Sequence, residues 1–219
     1  MLNETERQKK DDQYMDFLPQ LDFKNEQRNI KHLMKQSERK LAFKSDVATD
    51  SNFIQMLSEN PKILHISCHG LKIELKTGFY RDKEKTEKEN CLLFEKENGE
   101  GHLINSKHLN RSIKKQLPDL DVIFLAACNS EFAGKIFLKC GAKHVICIKK
   151  DKEVRDDVAV EFTELFYKFL FAGESVCKAF DRAKDGVTMK FTESEANLFT
   201  IFTHEQLDEL NDPTIVQTE

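Results

Sequence analysis

Two apolar runs in this chain each break off at a residue suited to acyl-transfer chemistry. Lys62-Ile63-Leu64-His65-Ile66-Ser67-Cys68-His69-Gly70 ends at a histidine followed by glycine. Asp121-Val122-Ile123-Phe124-Leu125-Ala126-Ala127-Cys128-Asn129-Ser130 ends at a cysteine. A thiolate is a strong nucleophile, but a free thiol is mostly protonated at neutral pH and needs help to ionise. An imidazole beside it supplies that help, either as a general base or as the cation of a thiolate–imidazolium pair. His69 and Cys128 together therefore point to a cysteine hydrolase, provided the fold brings them together.

The elements that must do so are strands. Both runs are short, rich in β-branched residues and free of alternation, as expected of parallel strands buried on both faces. In an open α/β sheet the working groups gather just beyond the carboxyl ends of such strands. His144-Val145-Ile146-Cys147-Ile148 reads as a third strand of this kind.

Helices alternate with them. Asp22 caps a helix bearing Ile30, Leu33 and Met34, and Asp50 or Ser51 caps a second carrying Phe53, Met56 and Leu57 up to Pro61. Ser106 to Leu117 and Phe132 to Lys139 read as two more, the latter closed by Gly141. Ala159, Phe162, Phe166, Phe169 and Leu170 recur at helical spacing up to Gly173, and Val176, Ala179, Phe180 and Ala183 mark a final helix. Leu41-Ala42-Phe43 reads as a short strand and Tyr14 to Leu18 as a possible edge strand. Leu71, Ile73 and Leu75 alternate with charges, predicting a half-exposed strand, and Thr77 to Asn90 reads as a charged mobile loop. Asn98-Gly99 between Cys91-Leu92-Leu93-Phe94 and His102-Leu103-Ile104 signals a hairpin. The pattern predicts a three-layer α/β domain over 21–205, with a weakly ordered lead-in at 1–20 and a tail at 206–219.

Composition narrows the function classes. The 219 residues are 39% hydrophobic, enough for one real core. The 34 basic and 38 acidic residues are interspersed, without a basic stripe for nucleic acid. No apolar stretch reaches transmembrane length or resembles a signal sequence, and the cysteines mostly sit in apolar segments as reduced thiols would. An intracellular, cytoplasmic protein without nucleic-acid or membrane partners is the expectation.

The order and wording of four segments resemble the CHAT domain, a caspase-like module often found with tetratricopeptide repeats. Leu64-His65-Ile66-Ser67-Cys68-His69-Gly70 resembles its histidine segment, and Phe124-Leu125-Ala126-Ala127-Cys128-Asn129-Ser130 its cysteine segment. Gly141-Ala142-Lys143-His144-Val145-Ile146 resembles the following strand. Asp156, Ala159, Phe162, Phe166-Tyr167, Leu170, Gly173, Ser175-Val176 and Ala179-Phe180 resemble the terminal helices. The likeness runs from about Leu21 to Val187. It implies a caspase-like α/β/α sandwich with a mostly parallel sheet and a small hairpin insertion.

The resemblance also implies a catalytic His69–Cys128 dyad in a cysteine endopeptidase acting on a protein or peptide. The backbone N–H groups of Gly70 and Cys128 would form its oxyanion hole. An acidic residue would bind Arg or Lys on the acyl side of the scissile bond: Asp156 first, Asp157 second, Glu131 third. For the two aspartates, helix capping and dipole compensation are the competing role. No cofactor and no metal is implied; Cys140, His144 and Cys147 lack an obvious fourth ligand for zinc. Cys68 should pack in the core, and Ser67 and Ser130 should be hydrogen-bonders, since neither lies in a Gly-x-Ser-x-Gly elbow. The alternative function is an inactive interaction or scaffold module of the same fold that binds a regulatory protein partner.

Overall fold

A computed structural model describes residues 18–80, 83–113, 117 and 119–206, with the side chains of 75–86 left aside. The element order is α1 (Phe23–Gln36), α2 (Asp50–Ser58), β1 (Ile63–Ser67), β2 (His69–Tyr80), β3 (Lys83–Glu95), β4 (Gly101–Asn105), α3 (Ser106–Ser112), β5 (Val122–Ala126), α4 (Glu131–Lys139), β6 (His144–Ile148), α5 (Asp156–Phe171), α6 (Val176–Lys190), α7 (Glu193–Ala196) and β7 (Phe199–Thr203). The central sheet has the order β1-β5-β6-β7. β1, β5 and β6 are parallel, while β7 runs antiparallel on β6. This is the caspase-like α/β architecture.

Both sheet faces are buried, which explains the unbroken apolar runs. On one face Leu64, Ile66, Ile123, Leu125, Val145 and Cys147 pack with Phe53 of α2, Leu109 of α3 and Phe137 of α4. On the other, Val122, Phe124, Ile146 and Ile148 pack with Ile30 of α1, Phe162 and Phe166 of α5, and Phe180 of α6. The helix signals act locally as expected. The Asp22 carboxylate accepts from Asn25 N–H to cap α1, and Gly141 and Gly173 carry positive φ after α4 and α5.

Several expectations need correction. Leu41 to Phe43 is not a strand: it has no ladder partner, and the Phe43 ring lies under the Lys31 ammonium at 4.9 Å. The cap of α2 is Thr49, whose hydroxyl accepts from Asn52 N–H, so the helix begins at Asp50. α3 ends at Ser112, well short of Leu117. Thr77 to Asn90 is largely ladder: β2 and β3 pair from His69↔Leu93 out to Tyr80↔Lys83. β4 joins only the base of that ribbon, Cys91↔Asn105 to Glu95↔Gly101, so the insertion is a three-stranded antiparallel sheet. β7 was not foreseen at all. The proposed edge strand at Tyr14 to Leu18 falls almost wholly outside the described residues, and so does the tail beyond Gln206.

Candidate active site

β1 and β5 lie side by side with Ser67 opposite Ala126, so both chains leave the sheet at the same level. Cys68 N–H donates to Ala126 O at 3.3 Å, carrying the pairing one step further. The next residues are His69-Gly70 on one chain and Cys128 on the other. A Cβ placed on Gly70 would fall 1.5 Å from Cys128 O and 2.5 Å from its carbonyl carbon. The glycine is thus required by the backbone of Cys128 itself.

The ring of His69 is half-buried and donates from Nε2 to Pro19 O at 2.9 Å. A carbonyl can only accept, so Nε2 carries the proton and a neutral ring keeps its lone pair on Nδ1. Burial pulls this imidazole below its usual range, against upward pulls from the Pro19 bond and the charge of Asp156.

The Cys128 sulfur faces the segment between β6 and α5. It accepts from Val154 N–H at 3.3 Å and contacts Val154 O at 3.8 Å. Lys152 O accepts from Asn129 N–H at 3.0 Å, fastening the same segment to the turn after Cys128. Burial pushes the thiol above its usual pKa; the Val154 bond opposes this and the charge of Glu153 adds to it. No hydrogen bond joins His69 to Cys128. Each is held by its own backbone partner, His69 by Pro19 O and Cys128 Sγ by Val154 N–H.

The three acids occupy different settings. Asp156, in the first turn of α5, accepts from Asp22 N–H and projects its field onto His69. Burial raises its pKa, and the charges of Glu26, Asp22 and Asp157 add to the effect. Asp157 pairs with Arg155 at 2.5 Å and accepts from Val158 N–H at 3.0 Å; neither aspartate caps α5, whose N-cap is Arg155 without a side-chain cap bond, but both place acidic charge in its first turn. Glu131 is committed elsewhere: it pairs with Lys135 at 2.8 Å and accepts from Lys150 N–H at 2.7 Å. Burial works against its ionisation, but these partners outweigh it and hold the carboxyl below the ordinary value.

Several of the remaining thiols and hydroxyls are engaged in packing or hydrogen bonds away from the rim. Cys68 is buried in the core, and burial pushes its thiol up to about 12. Ser130 is fully buried, donating to Leu125 O and accepting from Ile148 N–H. Cys140 donates to Ile113 O, His144 contacts Asp121 O, and Cys147 is buried against Gly134; each of the three is engaged separately. Among the described residues no cysteine is paired, and no helix is long and apolar enough to cross a membrane.

Pro19, Asp22 and Val154 were missed by sequence reasoning. All three touch the site through backbone groups, which leave no side-chain signature. The nearest signal was Asp22 as a helix cap, which places the chain just before α1 but not against His69.

A family model described as CHAT domain matches residues 3–200 of the chain. No curated protein matches it.

Proposed function

Since the chain belongs to the CHAT domain family, which is related to the caspase-like peptidases, we propose that it is a cysteine endopeptidase using His69 and Cys128. The observation that carries this reading is the fit of Gly70 against the Cys128 backbone, which seats the histidine and cysteine segments on one rim. The Pro19 carbonyl supports it by favouring the tautomer whose free nitrogen can act as base.

A thiol pushed up and an imidazole pulled down favour the neutral pair over a preformed ion pair. Nδ1 of His69 therefore takes the thiol proton as Cys128 Sγ attacks the peptide carbonyl carbon. The N–H groups of Gly70 and Cys128 receive the developing oxyanion. The tetrahedral intermediate collapses with cleavage of the C–N bond, and the imidazolium returns its proton to the leaving amine. Water, deprotonated by the same ring, then hydrolyses the thioester.

Asp156 is the acid best placed to receive Arg or Lys, since Asp157 and Glu131 already hold cationic partners. The hydrogen bonds between the Cys128 sulfur and Val154 support a latent resting form that a substrate or regulatory protein partner would release. Digestion of a mixed peptide library, with cleaved bonds mapped by mass spectrometry, tests the proposal. Cleavage after Arg or Lys by the wild type and not by Cys128→Ala is expected. A library left intact even with the 149–155 segment loosened by Val154→Gly would instead favour the interaction module.

A further inference from the structure

Beneath the rim lies a buried polar cluster that the dyad chemistry does not use. His65 and Ser67 share one face of β1, and α1 crosses that face. Glu26 of α1 is only 6% exposed. Its Oε1 lies 3.2 Å from His65 Nε2 and accepts from Thr163 Oγ1 at 3.2 Å, and Ser67 hydrogen-bonds to the same carboxylate. His65 Nε2 makes no well-formed hydrogen bond with Oε1, yet the ring helps hold the Glu26 carboxyl below its ordinary value against the cost of burial. The other ring nitrogen meets the Tyr167 hydroxyl at 3.1 Å, and the ring stacks on Phe124 at 4.8 Å.

A buried carboxylate is costly unless its partners are in place. α1 therefore has one seating in which Glu26 is satisfied, between β1 and α5. One turn before Glu26, the chain leaves the helix through Asp22, whose N–H binds Asp156, and reaches the Pro19 carbonyl on His69. Thus the same segment grips β1 at His65 and Ser67 and the first residue of β2 at His69.

We propose that Glu26 is a positioning residue: its seating on His65, Ser67 and Thr163 holds the Pro19 carbonyl against His69 Nε2 and so sets the tautomer of the proposed base. This rests on the reading of His69 as the general base. It assigns to α1 a part in the site that no side chain of the dyad performs.

The test uses the full chain with ¹⁵N-labelled histidine. NMR reads the His69 tautomer, and iodoacetamide labelling of Cys128 reads its reactivity. The wild type should show the Nε2–H form. Glu26→Ala should mix the tautomers and slow labelling by about tenfold or more, since small misplacements of a catalytic group are costly. Glu26→Gln, which keeps an acceptor for Thr163 and Ser67, should restore most of both. An unchanged His69 tautomer in Glu26→Ala would overturn the proposal. If that variant does not fold, Glu26→Asp, with its shorter arm, decides by the same readings. His69→Ala separates the two claims. Unchanged labelling there defeats the base role, whereas a tautomer shift in Glu26→Ala still supports the seating.

Discussion

Gly70 and Cys128 touch so closely that a single methyl on Gly70 would overlap the Cys128 carbonyl, at 1.5 Å from its oxygen. Backbone meets backbone here, so neither side can yield as a flexible side chain would. Gly70→Ala is expected to lower stability by about 3 kcal/mol, the upper end of the usual cost of overpacking. It should also push the histidine and cysteine segments apart. Urea unfolding checks the first effect, and a change below about 0.5 kcal/mol would mean the two segments are not wedged together.

The directions of the two titrations set the pH profile of Cys128. Its thiol is raised by burial and the His69 ring is lowered by burial, so the neutral pair is favoured throughout the neutral range. Alkylation of Cys128 assisted by the neutral ring should therefore rise through one step below the ordinary histidine midpoint, as the ring gives up its proton, and through a second above the ordinary cysteine midpoint, as the thiolate forms. A stopped-flow or mass-spectrometric rate profile decides this. Fast labelling with no step in or below the histidine range would reveal a preformed thiolate–imidazolium pair instead, and a single step above the cysteine range would mean that the ring gives no help.

The proposed preference for basic residues is assigned to Asp156. Asp156→Asn keeps the size of the side chain and its acceptor for Asp22 N–H but removes the charge. Reaction with a peptidyl ketone bearing Arg should fall by about tenfold or more, as a charge-assisted contact is lost. The same reagent bearing Leu should react about as before. Equal loss for both would make Asp156 a structural residue at the start of α5.

β7 tests the fold independently of the site. The Phe199 ring stacks on Phe162 with centroids 3.8 Å apart and is nearly fully buried. Phe199→Ala should cost about 3–5 kcal/mol, the range for removing a buried aromatic side chain. Thermal unfolding with a calorimeter measures it, and a negligible change would mean that β7 does not pack on α5.

The parts of this fold that could be read from sequence are those whose environment is uniform. β5 and β6 are buried on both faces, and β1 is buried on one face and partly covered on the other, so their apolar runs stood out, and α5 presents one apolar stripe at helical spacing. The outer ribbon was misread as a loop because its charged residues show no apolar face; the backbone ladder that joins it is silent in the sequence. β7 escaped notice although Phe199-Thr200-Ile201-Phe202-Thr203 is rich in β-formers, because the run is short and follows polar residues. Conversely, Leu41 to Phe43 has strand-like character but no neighbour to pair with. At the site, His69 and Cys128 were visible as side chains. Pro19, Asp22 and Val154 contribute a carbonyl, an amide and both groups respectively, and any residue type can supply these.

The most direct test of the account is the rate at which an Arg-bearing peptidyl ketone forms a thioether at Cys128, compared between the wild type and His69→Ala. Loss of a general base should slow that reaction by about a hundredfold or more, with Cys128→Ala giving no adduct at that position. Equal rates in the wild type and His69→Ala, with the adduct on Cys128 in both, would contradict the dyad.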